Sequence, residues 1–166
     1  MILGIDASTS IVGWAFFNGI EVVDAGFINI AKFDTNKEKT LHVISVLETN
    51  ANLPLVSHIN LEAALSGFMG GRTSQQTIIK LARFNAVFEY IISEKMNIKV
   101  NLIGAMTARK KVFGKARIKG MTGKEYVRNQ IDAKFAYVHK FDKLNNKQAW
   151  DAHNEDTYDA IVMSMA

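Results

Sequence analysis

The run Ile2-Leu3-Gly4-Ile5-Asp6-Ala7-Ser8-Thr9-Ser10-Ile11-Val12-Gly13-Trp14-Ala15-Phe16-Phe17-Asn18-Gly19 decides how this chain is built. Residues 2–9 read as a buried strand that ends in a polar turn. Val12 to Asn18 and Glu21 to Ile30 read as two further strands. Asn18-Gly19 between them is a strong hairpin signal, because tight hairpin turns need residues that tolerate positive φ. The opening is therefore an antiparallel meander.

Beyond it the period changes. Asn36 to about Asn50 is helical, with Leu41, Ile44, Val46 and Leu47 apolar. His58 to Ala64 is a fourth strand. Thr73 to Lys95 is the longest helix, with Ile78, Leu81, Ala82, Phe88 and Ile92 as a stripe broken by Asn85. Lys99 to Ile103 is a fifth strand. Thr122 to Phe135 is a helix with Thr122 and Glu125 in capping-box register, and Asn154 to Ala166 is a last, apolar helix. A meander continued by helical crossovers predicts an α/β fold. Its mixed sheet has five strands, three antiparallel and then parallel, with helices on its faces.

At 166 residues, with Pro54 the only proline and no Gly/Ser linker, the sequence predicts one domain over residues 1–166. Apolar residues are 48% and charged residues 22%, which excludes a disordered, collagenous or coiled-coil chain. The absence of cysteine excludes disulfides, thiolate zinc sites and cysteine nucleophiles, so any metal must sit on oxygen or imidazole. The longest apolar run, Ile11 to Phe17, is far short of a bilayer span, and the N-terminus meets Asp6 without a basic region. A soluble, intracellular protein with no membrane partner is expected.

Charge is uneven along the chain. Arg109, Lys110, Lys111, Lys115, Arg117, Lys119, Lys124 and Arg128 crowd one segment against Glu125 alone, while the whole chain carries only +4. Clustering of this kind is the footprint of a polyphosphate partner, although a solvated basic loop would read the same way.

Three acidic signals complete the pattern. Asp6 ends an apolar strand, where a carboxylate either caps the following turn or binds a cation. Glu62 ends the fourth strand after Ile59-Asn60-Leu61, and it faces either solvent or a ligand. His153, Asp156 and Asp159 fall on one stripe of the last helix. The first two suit a helix start, but Asp159 lies among Ala160, Ile161 and Val162. Together, carboxylates without cysteine suit a hard cation such as Mg²⁺ or Mn²⁺. Two such ions beside a basic segment suit phosphodiester hydrolysis.

These motifs resemble the RuvC-type Holliday junction resolvases. Gly4-Ile5-Asp6-Ala7-Ser8-Thr9-Ser10-Ile11-Val12-Gly13-Trp14-Ala15 is similar to their opening, Ile59-Asn60-Leu61-Glu62 to their central strand, and Asp156-Thr157-Tyr158-Asp159-Ala160 to their C-terminal helix. The resemblance spans residues 4 to 160 in the right order. It implies an RNase H-like fold, a homodimer and Mg²⁺-dependent nicking of four-way DNA junctions. Asp6, Glu62, Asp156 and Asp159 would be catalytic metal ligands holding two Mg²⁺ ions, replaceable by Mn²⁺. His153 would be a further ligand, a proton-transfer group or a solvent-facing helix start.

Basic residues after the fifth strand would hold DNA: Arg109, Lys110, Lys111, Lys115, Arg117, Lys119 and Lys124, with Lys111 or Lys115 nearest the scissile phosphate. Arg72 joins them. Phe68, in a glycine-bearing loop after Glu62, would be a wedge stacked on an unpaired base, or a hydrophobe folded onto the core. The surplus of apolar residues in the longest helix (Ile78, Leu81, Phe84, Phe88, Ile92) would form the dimer contact, or be buried within its own domain. Related substrates such as flaps, other branched DNA and RNA–DNA hybrids share the same motifs. The opening also resembles the phosphate loop of actin-like kinases and ATPases, which leaves the basic segment unexplained, and a non-cleaving junction binder would not need all four acids.

Overall fold

The computed structural model describes residues 1–64, 74–145 and 151–166. β1 (Ile2–Ala7), β2 (Ile11–Phe17) and β3 (Val22–Asn29) form the meander. Then come α1 (Asn36–Leu47), β4 (His58–Glu62), α2 (Gln75–Met96) and β5 (Lys99–Ile103). The chain closes with α3 (Ala105–Phe113), α4 (Gly123–Lys134) and α5 (Asn154–Met165). The sheet order is β3-β2-β1-β4-β5. β1 runs antiparallel to β2 and parallel to β4, and β5 runs parallel to β4. This is the mixed five-stranded α/β sheet expected from the sequence. Among the described residues no helix is long and apolar enough to cross a membrane.

Local chemistry explains the boundaries. Gly19 takes φ +97° in the β2–β3 turn, and Asn18 Oδ1 accepts from the N–H groups of Ile20 and Glu21 at 2.8 and 2.9 Å. Thr35 with Glu38, and Thr122 with Glu125, form complete capping boxes at the starts of α1 and α4.

Three features depart from the sequence pattern. Residues 105–113 form a helix inside the basic segment. Only Ala108 and Phe113 are buried there, so no repeating apolar stripe announced it. In α2 the buried stripe is Phe84, Asn85, Phe88 and Ile92, and Ala82 is exposed. Asn85 belongs to the stripe because its Nδ2 donates to the Glu62 carbonyl, 3.3 Å away, where β4 ends. Finally, part of the apolar surplus of α2 is buried within the chain, while Ile78 and Leu81 are half-buried. Phe84, Phe88 and Ile92 are fully buried, and Ile79 and Tyr90 are the large α2 side chains left exposed.

Strand alternation divides the core. Leu3, Ile5, Val12, Phe16, Ile59 and Leu61 pack beneath α1 and α2 with Val43, Leu47, Phe84 and Phe88. The opposite face carries Ala15 and Ala25 against α5, walled by Phe113 of α3 and Tyr126, Val127 and Ile131 of α4. α5 lies on this second face with its backbone against the strands. A Cβ on Gly4 would stand 2.2 Å from the Ala160 carbonyl oxygen, and one on Gly13 would stand 2.0 Å from that of Asp156. Asn60 Nδ2 of the adjoining strand donates to the Met163 carbonyl at 3.0 Å, which fixes the far end of the helix.

Backbone atoms of a packed helix cannot yield as a flexible side chain can. Gly13→Ala is therefore expected to destabilise the protein by about 3 kcal/mol or more, measured by urea denaturation. A loss under about 0.5 kcal/mol would show that α5 does not seat this closely.

Candidate metal centre and basic wall

Alternation along β1 and β4 places Asp6 and Glu62 on the face covered by α5. The parallel register Gly4↔Asn60 and Ile5↔Leu61 brings the two acids to the same height at the ends of neighbouring strands. Asp6 is also paired with Gly13, directly beneath the Asp156 carbonyl. Close seating of α5 at Gly13 thus delivers the start of that helix to Asp6. Asp6, Glu62 and Asp159 line one open cleft of about 680 Å³. Glu155 joins them from α5, and Arg109, Thr122, Gly123, Lys124, Glu125 and Arg128 form the facing wall from α3 and α4, three cations against one acid.

The wall balances the carboxylates only in part. Arg109 Nη2 meets Asp159 Oδ1 at 3.0 Å, both side chains being largely buried. Lys124 Nζ lies 3.2 Å from Glu155 and 3.8 Å from Asp156. Among the described residues neither Asp6 nor Glu62 has an ion pair. Burial, reinforced by Glu62, Asp159 and Asp156, pushes the Asp6 carboxyl well above the usual range. Burial and Asp159 push Glu62 up to about 7 against the pull of Arg109 and Lys124. Burial also raises Asp159, with Arg109 opposing. Burial works against the Lys124 ammonium, yet Asp156 and Glu155 outweigh it and raise its pKa.

An all-oxygen set with surplus negative charge and no thiolate fits a hard divalent cation. Asp6, Glu62, Asp156 and Asp159 could hold it. Among the described residues no three acidic or histidine side chains are drawn together at ligand distances, and Asp159 is turned to Arg109 instead.

The other expected site residues are distributed as follows. His153 precedes α5, with Nδ1 3.3 Å from Asp156 Oδ2 and its ring 5.6 Å from that of Phe27. Lys111 Nζ bonds the carbonyl oxygen of Ala166, at the end of α5 away from Asp156. Lys110, Lys115, Arg117 and Lys119 are exposed and do not line the cleft. Phe68 and Arg72 lie outside the described residues. Gly123 and Glu155 line the cleft without having been singled out, and Thr122, Glu125 and Arg128, read as a helix cap and as part of the basic cluster, line it as well. The i, i+4 spacing of Lys124 and Arg128 on α4 was the readable sign that both face one way.

A raised carboxylate pKa fixes the sign of a pH effect. The unfolded chain releases the Glu62 proton near 4.5, the folded protein near 7. Between these values the native state holds more protons, so stability is full below the lower value and falls as pH rises through the upper one. Metal-free protein is expected to lose up to roughly 3 kcal/mol between pH 5 and 8 through this group, with Asp6 acting in the same direction. Glu62→Gln should flatten the thermal-stability profile. An unchanged pH slope in Glu62→Gln would contradict this reading of the cleft.

No family model and no curated protein sequence matches the chain. Solved structures do. Thermus thermophilus RuvC superposes with a TM-score of 0.59 at 13% identity, over 99% of this chain and 90% of that one. T. thermophilus RuvC in complex with a Holliday junction substrate gives 0.63 at the same identity and the same coverage of both chains. The yeast mitochondrial Holliday junction resolvase Ydc2 gives 0.57 at 13% identity, over 99% of this chain and 75% of that one. With its meander, parallel extension and acids at the strand ends, the chain therefore has the RNase H-like fold of the RuvC-type resolvases.

Proposed function

We propose that this protein is a divalent-metal-dependent endonuclease that resolves four-way DNA junctions. One observation carries the reading: Asp6 and Glu62 are paired in burial and unpaired in charge, at the floor of a cleft whose opposite wall is basic. Such a floor attracts a cation, and such a wall attracts phosphate. The superposed proteins supply the substrate class, since two of them are Holliday junction resolvases by name or by bound substrate.

Mg²⁺, with Mn²⁺ as a substitute, would be held by Asp6, Glu62, Asp156 and Asp159, and in pairs such ions supply an activated water and stabilise a leaving 3′-oxygen. The chain's own groups do the rest. Lys124 and Arg128 on α4 face the cleft and hold the backbone phosphate there. Exposed Lys110, Lys115, Arg117 and Lys119 extend the positive surface to flanking DNA. His153 orients the Asp156 carboxylate. Phe68 would stack on an unpaired base at the junction centre. Products would be a 5′-phosphate and a 3′-hydroxyl, and two copies acting as a homodimer would nick opposed strands.

The test is cleavage of a labelled synthetic four-way junction beside duplex, flap and RNA–DNA hybrid, with Mg²⁺ or chelator. Paired symmetric nicks in the junction alone are expected, abolished in Asp6→Asn while junction affinity changes less than about threefold. Most of that affinity comes from phosphate neutralisation. Preference for flaps or hybrids would move the function to another structure-specific nuclease. Binding without cleavage of any substrate would contradict the proposal. Lys124→Ala should weaken binding to all the DNA substrates alike and lower the slope of log affinity against log salt by about one. An unchanged slope would remove Lys124 from the interface.

A further inference from the structure

Arg109 reaches the acidic cleft from α3, and its ion pair with Asp159 is 15% and 10% exposed on the two side chains. Its guanidinium is also pressed against the start of α4. A Cβ on Gly123 would stand 2.7 Å from Arg109 Nη1, with the other guanidinium atoms of that residue at 3.6 and 3.8 Å. The first helical position of α4 lacks a side chain where the guanidinium passes. Gly123 has no positive φ that would demand glycine for its own backbone. Glycine at 123 thus leaves open the space through which the Arg109 guanidinium passes on its way to Asp159. A guanidinium beside a helix N-terminus faces the positive end of the helix dipole, so the position is set by the acid it reaches and not by the helix.

Resting on the nuclease reading above, we propose that Arg109 is a positioning residue that occupies Asp159 in the metal-free protein and must be displaced for a divalent cation to use that carboxylate. Arg109 and the cation then compete for Asp159 Oδ1, the atom that the guanidinium contacts. Arg109 gives the most interior helical acid of the cleft a charge partner. On loading, a guanidinium is released within a cleft that also carries Lys124 and Arg128, where a phosphate is the anion it would next meet. Competition of this kind is reciprocal: the cation weakens the Arg109–Asp159 pair by the factor by which that pair weakens the cation.

Gly123→Ala separates this idea from simple charge repulsion. The added methyl collides with the far end of a flexible side chain, so Arg109 shifts while the net charge is unchanged. Alanine is compatible with the first turn of a helix, so α4 is kept. Mn²⁺ binding to the wild-type protein, Gly123→Ala and Arg109→Gln is measured by calorimetry, with circular dichroism to confirm the fold of each. Mn²⁺ affinity is expected to rise at least threefold in Gly123→Ala and at least as much in Arg109→Gln. Arg109→Gln should also melt at a lower temperature without metal and regain most of the difference with Mn²⁺. Equal Mn²⁺ affinity in the wild type and Gly123→Ala would overturn the proposal and leave the nuclease reading standing. A rise confined to Arg109→Gln would equally overturn it, because Arg109 would then act through charge alone. No Mn²⁺ binding by any of the three would overturn both.

Discussion

The contact between α5 and the strands at Gly4 and Gly13 is the constraint on which the rest of this structure depends. Helix backbone meets strand backbone there, with no room for even one methyl group. The residues of α5 that make the contact are Asp156, Ala160 and Ser164, four apart and therefore on one stripe. The stripe is small where it crosses β1 and acidic where it crosses the strand end. Close packing and site assembly are thus one event. A larger residue at either glycine would lift the helix, and the carboxylates of Asp156 and Asp159 would move away from Asp6 with it.

The second consequence is electrostatic. A fold that buries Asp6 and Glu62 side by side and lays Asp159 above them accumulates charge that the chain only partly neutralises. Arg109 and Lys124 are committed to Asp159 and to Glu155 and Asp156. The remainder is borne by proton uptake, which is why the carboxyls titrate high. Such a cleft is more stable with a bound proton or a bound cation than with neither. A structural ion-pair network would have been expected to close on itself; this one is left open on the side facing solvent and the basic wall.

Much of this was legible in the sequence, and the reasons are physical. Asp6 and Glu62 stood out as acids at the ends of apolar strands, and in the structure strict alternation sets them on the face opposite Leu3, Ile5, Ile59 and Leu61. The Asn18-Gly19 turn and the Thr122–Glu125 capping box are local chemistry and appear where local chemistry put them, whereas the Thr35–Glu38 box went unread. The α3 helix was not legible, because nine residues with two buried side chains leave no period to read. Asn85 looked like an interruption because its partner, the Glu62 carbonyl, is 23 residues away. Nor could the basic segment be sorted by composition alone. Lys111 turns to the end of α5, whereas Lys124 and Arg128 turn to the acids, a difference made by the direction of two helices. The fit of the Arg109 guanidinium against Gly123 was not legible either, because it joins two helices 14 residues apart.

The central claim is that these acids form a cation site. Anomalous diffraction from crystals soaked in Mn²⁺ tests it most directly. A strong peak is expected between the carboxylates of Asp6 and Glu62, with Asp156 or Asp159 turned toward it. Absence of a peak in that cleft at millimolar Mn²⁺, or a peak on other residues with Asp6 and Glu62 left unliganded, would contradict it.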